Sequence, residues 1–398
     1  MEEESKHPRR RSILQKFLSL NECKELEFIH KSCSTVGYRP NVLSTTLSHL
    51  IATNSPHFII PFLPIRERLK EKVEEFFGCE YELFIEFTAL ISWTRGASCG
   101  WHSDDNRPYL KQRHFTVFCY LNSYDMDFKG GLFHFQDGEP TTVVPLAGDV
   151  VIYTADSSNI HSVDEIINGE RLTLTLWFSR GSAHDEDAKL ITLLSKHVLC
   201  SSCDGPELFL PLPASSNMYW FSQNQASDHQ SGFDICCARI HVNGFDIYSS
   251  QGKICSTELT ELLLEPLQLA KGDELFEHKF VNILHALQAV QFYRWRASGW
   301  DIFKAQVEPR RPIRLSQTEQ GEISYLKSIF LKDQELAEAV FNTVKRDEGL
   351  QLSIDWANFS AAVTALEDYS CKLGKELLNS LPHWRTHQSI YCVQFHGP

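Results

Sequence analysis

Apolar positions in the first eighty residues recur at helical spacing. Between residues 19 and 33 they include Leu26 and Ile29, and Asn21 precedes them as a cap, so this segment is predicted to be an amphipathic helix. Residues 65–78 (IRERLKEKVEEFFG) show the same spacing and end at a glycine, a common helix terminator. The N-terminal part of the chain is therefore predicted to be helical.

Beyond residue 80 the period of the pattern shortens. Short runs rich in β-branched and aromatic residues are separated by turn residues, as is typical of strands. Five such runs are present, at residues 81–94, 113–123, 130–138, 141–155 and 170–180. Together they predict an antiparallel β-sandwich or barrel, preceded by supporting helices.

Helical spacing returns from residue 185 onward. Residues 200–235 are rich in Ser, Pro, Asn and Gln, whereas helices are predicted at 187–199, 256–270, 277–297, 323–344 and 356–381. This half has no repeat of fixed period and no motif that carries chemistry. We therefore predict an α+β chain of three parts: N-terminal helical support (1–79), a β unit (80–184), and a mainly α-helical C-terminal region of unknown role (185–398).

Charge and composition narrow the classes of partner. The chain has 398 residues, 42% of them hydrophobic, and a net charge of -13, which argues against a general nucleic-acid binder. Gln15 and Lys16 interrupt the apolar positions near the start, so the segment predicts neither a secretory signal nor a membrane span. We expect a cytoplasmic or nuclear protein without membrane association; the basic run Lys6–Arg11 is either a nuclear import signal or a solvated arm.

The twelve cysteines are expected to be reduced thiols, mostly buried as small apolar groups. Cys200 and Cys203 form a C-x-x-C pair that is typical of half a zinc site. The adjacent Cys236 and Cys237 would have to supply the other half, and adjacent cysteines rarely chelate one ion. Whether these four bind zinc is left open, as is the oligomeric state.

A candidate metal site is present in the β unit. His102 and Asp104 are two residues apart on an extended segment, so both side chains project to one face. His161 is a third candidate ligand, just past an apolar strand pattern. Two imidazoles and one carboxylate suit one face of a six-coordinate iron(II), which leaves positions for a co-substrate and O2.

An arginine and two hydroxyls accompany these ligands. Arg171 opens the last predicted strand, and its planar guanidinium can bind a carboxylate through two parallel hydrogen bonds. Thr175 lies four residues further along the same strand, hence on the same face, and Tyr120 ends another strand. Both hydroxyls can donate to the same carboxylate.

Several blocks in this order resemble the 2-oxoglutarate and iron(II)-dependent dioxygenases of the prolyl-hydroxylase type, over about residues 80–180. The blocks are His102-x-Asp104, CYLN, GGLFHF, GDVVIY, His161 and ERLTLTLWF. The resemblance implies a double-stranded β-helix (jelly roll). It also implies the cofactors Fe(2+), 2-oxoglutarate, O2 and ascorbate.

Residue by residue, the resemblance implies that His102, Asp104 and His161 bind iron. By the same comparison Arg171, Tyr120 and Thr175 bind the C5 carboxylate of 2-oxoglutarate, and Trp177 matches an aromatic residue on the same strand. No catalytic side chain is implied beyond these ligands.

The expected substrate is a prolyl side chain of a protein or peptide, hydroxylated at the 4-position or the 3-position. Collagen is a doubtful substrate because no secretory signal is visible, and the nucleic-acid dealkylase branch is disfavoured because Trp177 stands where that branch has a second arginine. Two alternatives stay open: a hydroxylase of lysine or of a small metabolite, and a non-catalytic interaction module.

Overall fold

The computed structural model describes residues 11–200, 229–242, 275–297, 317, 335–341 and 356–393. Seven named α-helices lie in these ranges: α1 (Leu20–Cys33), α2 (Leu47–Ala52), α3 (Leu63–Phe77), α4 (Glu186–Cys200), α5 (His229–Val242), α6 (Leu275–Ala297) and α7 (Trp356–His387). A further helical segment covers 335–341. Among the described residues, no helix is long and apolar enough to cross a membrane.

Thirteen strands precede α4 in the chain. They are β1 (Arg11–Leu14), β2 (Thr35–Val36), β3 (Val42–Thr46), β4 (Phe84–Trp93), β5 (Cys99–His102), β6 (Arg113–Tyr120), β7 (Phe128–Gly130), β8 (Phe133–Phe135), β9 (Thr142–Val143), β10 (Val150–Thr154), β11 (His161–Val163), β12 (Ile166–Gly169) and β13 (Arg171–Ser179).

The strands form antiparallel sheets. A seven-stranded sheet has the order β1-β10-β6-β13-β4-β3-β2, and a four-stranded sheet has the order β5-β11-β8-β9. Strands β7 and β12 form a small third sheet. An aromatic core joins the two larger sheets, because Phe118 and Tyr153 of the first pack with Phe133 and Phe135 of the second. The predicted combination of antiparallel sheets and helices is confirmed.

Strand β13 shows how the layers are arranged. All nine of its residues are buried, which requires cover on both faces of the sheet. The even-numbered residues Leu172, Leu174 and Leu176 belong to the core that the helices share, whereas Trp177 belongs to the aromatic core between the sheets. The seven-stranded sheet is thus covered by helices on one face and by the smaller sheet on the other.

The helical boundaries follow from local capping. Helix α1 begins after Ser19, whose side chain accepts a hydrogen bond from the backbone N–H of Glu22, while the Glu22 carboxylate accepts one from the backbone N–H of Ser19, a capping box. The expected cap at Asn21 was therefore wrong by two positions. Helix α3 ends at Gly78, which has a left-handed φ of 62° and is the predicted terminator.

The N-terminal support contains strands that the sequence pattern did not predict. β1 pairs with β10, and β2 and β3 extend the opposite edge of the seven-stranded sheet. All five residues of β3 (VLSTT) are buried, and three of them are polar, so no alternation of apolar and polar positions marks this strand.

Two long predicted strands are interrupted in the structure. The predicted strand at 130–138 is reduced to β8, because the chain turns at Gly130, the last residue of β7, and at Gly131, which have left-handed φ values of 76° and 67°. The predicted strand at 141–155 becomes β9 and β10, with Gly148 (φ 92°) between them.

Helices α5, α6 and α7 pack onto the N-terminal support. Ile240 of α5, Leu284 of α6 and Trp384 of α7 belong to the same apolar core as α1 and α3. The predicted helix at 256–270, most of the predicted helix at 323–344, Cys203 and the side chain of Cys200 lie outside the described residues. Cys236 and Cys237 are buried in α5.

Candidate metal centre

Three side chains converge between the two larger sheets. His102 ends β5 and His161 begins β11, and these residues are direct partners in the antiparallel ladder. Asp104 follows β5 by two positions. One ligand atom from each of the three residues lies within 4.8 Å of the others. The ladder pairing therefore places two ligands that are far apart in sequence.

Backbone carbonyls fix how the two imidazoles point. Nδ1 of His102 donates to the carbonyl of Gly100 at 2.8 Å, and Nδ1 of His161 donates to that of Asn159 at 3.0 Å. Because Nδ1 carries the proton in each neutral ring, Nε2 retains its lone pair. The two Nε2 atoms lie 4.0 and 3.9 Å from Oδ1 of Asp104, so three lone pairs face one point.

The other oxygen of Asp104 is held by hydroxyl groups. Thr116 Oγ1 donates to Oδ2 at 2.7 Å, and the Tyr153 hydroxyl donates to the same atom at 2.8 Å. Thr116 of β6 and Tyr153 of β10 are partners in the seven-stranded sheet. This pair orients the carboxylate and leaves Oδ1 toward the histidines.

Charges and burial favour the ligand forms of Asp104 and His161. At His102 burial lowers the pKa, but the contacts with Cys99 and the charge of Asp104 outweigh it, so the net pKa is raised. Burial raises the pKa of Asp104, but His161, His102 and the two hydroxyl donors outweigh it, so the net pKa lies below its ordinary value. Burial is also the main cause that lowers the pKa of His161. A carboxylate and a neutral imidazole are the protonation states that bind a metal.

A buried arginine lies beside this group. Arg171 is 3% exposed, and its Nη2 is 3.5 Å from the hydroxyl of Tyr120. The buried Nε of Arg171 has no hydrogen-bond partner among the described residues. Since a buried guanidinium nitrogen normally has an acceptor, an anionic ligand would complete its hydrogen bonding.

These residues line an open cavity of about 320 Å³. Arg171, Thr175 and the three candidate ligands all contribute to its wall. The cavity thus brings together five of the six predicted site residues. The sixth residue, Tyr120, is fully buried behind the cavity wall and contacts Arg171 through its hydroxyl.

The predicted aromatic residue Trp177 also lines the cavity. Its ring stacks on Phe87 at 4.8 Å between centroids, and the Arg113 guanidinium lies 3.6 Å above it. Arg113 is in turn paired with Glu86 at 3.3 Å. Trp177 is therefore held as part of the cavity wall.

An aspartate and a histidine near the site form hydrogen bonds away from the three candidate ligands. Asp105 accepts hydrogen bonds from Ser103 and Lys111, at 2.8 and 2.6 Å. His134 of β8 contacts Asp164 and Thr142 rather than the three ligands. These contacts separate Asp105 and His134 from the candidate ligands.

Sequence reasoning missed Thr116, Tyr153 and the cavity-mouth residues Arg107 and Tyr109. Alternation along the predicted strands could have placed Thr116 and Tyr153 on an inward face. Their pairing across β6 and β10 depends on strand register, which no motif in the sequence indicates.

The donor set fits iron(II). Two imidazole nitrogens and one carboxylate oxygen on one side of a cavity are the ligands of a facial triad, in which the remaining positions stay open for other molecules. The partnerless Nε of Arg171 in the same cavity fits a carboxylate-bearing co-substrate.

Comparison with known proteins shows where this segment is similar to them. Residues 88–179 match the profile of the 2OG-Fe(II) oxygenase superfamily. The rat 2-oxoglutarate and iron-dependent oxygenase domain-containing protein 3 is 29% identical over 136 residues, which cover 32% of this chain and 43% of that protein. Its human counterpart is 35% identical over 85 residues, covering 21% of this chain and 27% of that protein.

More distant similarities are to prolyl hydroxylases. Chicken prolyl 3-hydroxylase 1 is 24% identical over 230 residues, or 47% of this chain and 31% of that protein. A solved prolyl-4-hydroxylase from Pseudomonas putida aligns with a TM-score of 0.36 and 18% identity, covering 44% of this chain and 95% of that one. The chain spans less than half the length of the curated relatives described here.

Proposed function

We propose that this protein, whose residues 88–179 match the profile of the 2OG-Fe(II) oxygenase superfamily, is an iron(II)- and 2-oxoglutarate-dependent dioxygenase that hydroxylates a prolyl side chain of a protein or peptide. The observation that carries the proposal is the convergence of His102 Nε2, His161 Nε2 and Asp104 Oδ1. We assign the two facing sheets to the double-stranded β-helix of that superfamily.

His102, Asp104 and His161 would hold the metal. When bound, iron(II) supplies the redox chemistry by which O2, 2-oxoglutarate and a C–H bond give succinate, CO2 and a hydroxylated product, with ascorbate as an accessory reductant. The protein contributes orientation. Thr116 and Tyr153 hold Oδ2 of Asp104, and the ring of Phe133 stacks on His161 at 4.9 Å, which limits rotation of the ligands.

Arg171 would bind the distal carboxylate of 2-oxoglutarate. Its Nε has no partner among the described residues, and Thr175 lines the same cavity with a hydroxyl that can donate to that carboxylate. The Tyr120 hydroxyl accepts from Arg171 Nη2 and fixes the guanidinium plane. With its distal carboxylate held there, the co-substrate would share the cavity with the three residues that would hold the metal.

A peptide substrate fits the open mouth of the cavity. Tyr109 lines the mouth and is 48% exposed, and Trp101, next to the ligand His102, is 57% exposed. Exposed aromatic rings can pack against a prolyl ring and still hydrogen-bond a peptide backbone. The 24% identity to chicken prolyl 3-hydroxylase 1 over 230 residues supports the choice of proline as the modified residue.

The test is turnover by the full chain with iron(II), ascorbate and 2-oxoglutarate, with and without proline-containing peptides and cell extract. We expect succinate formation, and mass spectrometry should find one added oxygen on proline in the modified peptide. His102→Ala should abolish both, because it removes a metal ligand. His134→Ala is the matched control, since His134 lies on a neighbouring strand and bonds to Asp164 and Thr142.

Each contrary outcome has a distinct meaning. Unchanged turnover in His102→Ala would refute the ligand assignment. Oxygen added to lysine or to a metabolite would retain the dioxygenase and overturn the prolyl substrate. If the wild-type chain forms no succinate and binds no iron, the alternative that the protein is a non-catalytic interaction module would replace the proposal.

A further inference from the structure

Arg171 is fixed from the side of the sheet that faces away from the cavity. The residue before it, Glu170, has a side chain that is only 14% exposed and lies against the helical layer. The side-chain Nδ2 of Asn122 donates to the backbone carbonyl of Glu170 at 2.6 Å. The backbone N–H of Leu172 donates to the side-chain Oδ1 of Asn122 at 2.9 Å. Both neighbours of Arg171 are therefore held by polar contacts.

The partner of the Glu170 carboxylate comes from the C-terminal region. Arg239 of α5 donates through Nη2 to Oε1 at 2.7 Å and through Nη1 to Oε2 at 3.0 Å. Arg239 is 4% exposed, so this is a buried, two-pronged ion pair between residues 69 positions apart. Such pairs fix geometry, because guanidinium and carboxylate planes must align.

Arg239 also connects to other parts of the helical layer. Its Nη2 lies 3.4 Å from the hydroxyl of Ser34, the residue that caps the C-terminus of α1, and its guanidinium lies 4.4 Å from the ring of Phe341. His30 of α1 approaches Glu170 at 3.9 Å. One arginine thus joins the start of β13 to α1 and to the helical segment 335–341.

We propose that Arg239 is a positioning residue for 2-oxoglutarate: through its ion pair with Glu170 it sets the start of β13 and so the location of Arg171 in the cavity. The C-terminal helices then serve co-substrate binding indirectly, through the position of Arg171. This inference rests on the proposed function, since it takes Arg171 as the anchor for the distal carboxylate.

The proposal predicts a specific loss of affinity. Arg239→Gln should weaken 2-oxoglutarate binding about tenfold, because a displaced anchor loses alignment while the metal ligands stay in place. Mn(II) affinity should not change. Glu170→Gln should have the same effect, and the double variant should be no worse than either single variant, since both remove one interaction.

Binding is measured by tryptophan fluorescence during titration of the Mn(II)-loaded full chain with 2-oxoglutarate. Trp93, 5.8 Å from the Arg171 guanidinium, serves as an internal reporter. Tyr369→Phe is the matched control. It removes another contact between the C-terminal helices and α1, the 2.6 Å hydrogen bond to Glu25, and should leave the dissociation constant of 2-oxoglutarate unchanged.

A wild-type measurement covers the case in which the glutamine variant does not fold. By reciprocity, 2-oxoglutarate binding should slow amide hydrogen exchange in residues 229–242, because the two events are coupled. Arg239→Lys, which keeps the charge and loses the two-pronged geometry, should also weaken binding.

The outcomes separate the two proposals. If wild type binds 2-oxoglutarate and Arg239→Gln or Arg239→Lys binds it equally well, the inference is overturned, even where thermal stability falls. Absence of any exchange difference in residues 229–242 would overturn it as well. A wild-type chain that binds Mn(II) but no 2-oxoglutarate would instead contradict the proposed function.

Discussion

At the scale of single residues, the orientation of Asp104 depends on two hydroxyl donors. Thr116→Val removes one of them with almost no change in volume, so the carboxylate loses part of its alignment toward His102 and His161. We expect Mn(II) affinity to fall by about 10–100-fold, as for other residues that orient metal ligands. The measurement is a metal titration of the folded chain.

Thr142→Val is the control for that prediction. Thr142 also contacts a histidine, His134, but lies on β9 outside the group of three ligands. It should bind Mn(II) as wild type does. Equal affinity in Thr116→Val and wild type would show that Tyr153 alone suffices to orient the carboxylate.

A second prediction at this scale concerns acid stability. His30 is fully buried between Ser92 and Thr45, and burial lowers its pKa to about 3 from an ordinary value of 6.5. The unfolded chain binds a proton at His30 below pH 6.5 while the folded chain does not. Stability is therefore complete above pH 6.5 and falls as the pH drops toward 3.

Between pH 7 and pH 5.5 this histidine alone should cost about 1 kcal/mol of unfolding free energy. Urea unfolding at the two pH values measures the loss. His30→Gln should show a smaller difference between them, whatever its absolute stability. An equal pH dependence in the variant would mean that other groups, such as the half-buried His57, carry the effect.

The site residues show what the sequence can and cannot specify. His102, Asp104, His161 and Arg171 are identifiable because each chemical task requires a particular residue type at a strand end. Thr116 is one of many strand threonines, and only its placement opposite Tyr153 gives it a role. Strand register depends on long-range pairing, which local patterns do not encode.

At the scale of elements, the turn between β7 and β8 fits closely against Arg171. Gly131 has a φ of 67°, and a Cβ there would lie 2.2 Å from Ile166 Cδ1 and 3.1 Å from Arg171 Cδ. Gly131→Ala should therefore cost about 1–3 kcal/mol in stability and weaken 2-oxoglutarate binding. Denaturant unfolding and ligand titration measure the two effects.

Gly100→Ala provides the comparison, because a Cβ at that position meets nothing within 4 Å. We expect an unfolding free energy close to that of wild type. If the two variants were equally stable, the close approach of the turn to Arg171 would have no energetic consequence.

Helices and strands were predictable where the apolar residues of a segment recur with a single period. β6 begins at the predicted first residue, and β13 begins one residue after its predicted start. Helix α3 ends at the predicted glycine. The N-terminal strands were missed because β3 is buried on both faces and β2 has two residues. β3 exists through pairing with β4, and β2 through pairing with β3, a tertiary effect that overrides local preference.

At the scale of the whole molecule, the predicted boundary near residue 185 separates parts that share a core. Tyr369 of α7 bonds to Glu25 of α1, and the backbone N–H of Ile390 bonds to Asp187 of α4. Trp384 of α7 is fully buried, and Leu366 and Leu377 lie in the core that also contains β13 residues. No sequence motif indicated this packing, because apolar helix faces do not specify their partners.

A shared core implies cooperative unfolding of the seven-stranded sheet with α7. Trp384→Ala should destabilise the chain by about 3–5 kcal/mol, the usual cost of truncating a buried tryptophan. Because the core is continuous, amide hydrogen exchange in β13 should accelerate as much as exchange in α7. Leu378→Ala on the same helix, at a side chain that is 55% exposed, should leave both rates near those of wild type. Faster exchange confined to α7 would instead mean that the C-terminal helices unfold alone, and the coupling between Arg239 and Arg171 would then have to act through the ion pair without support from the common core.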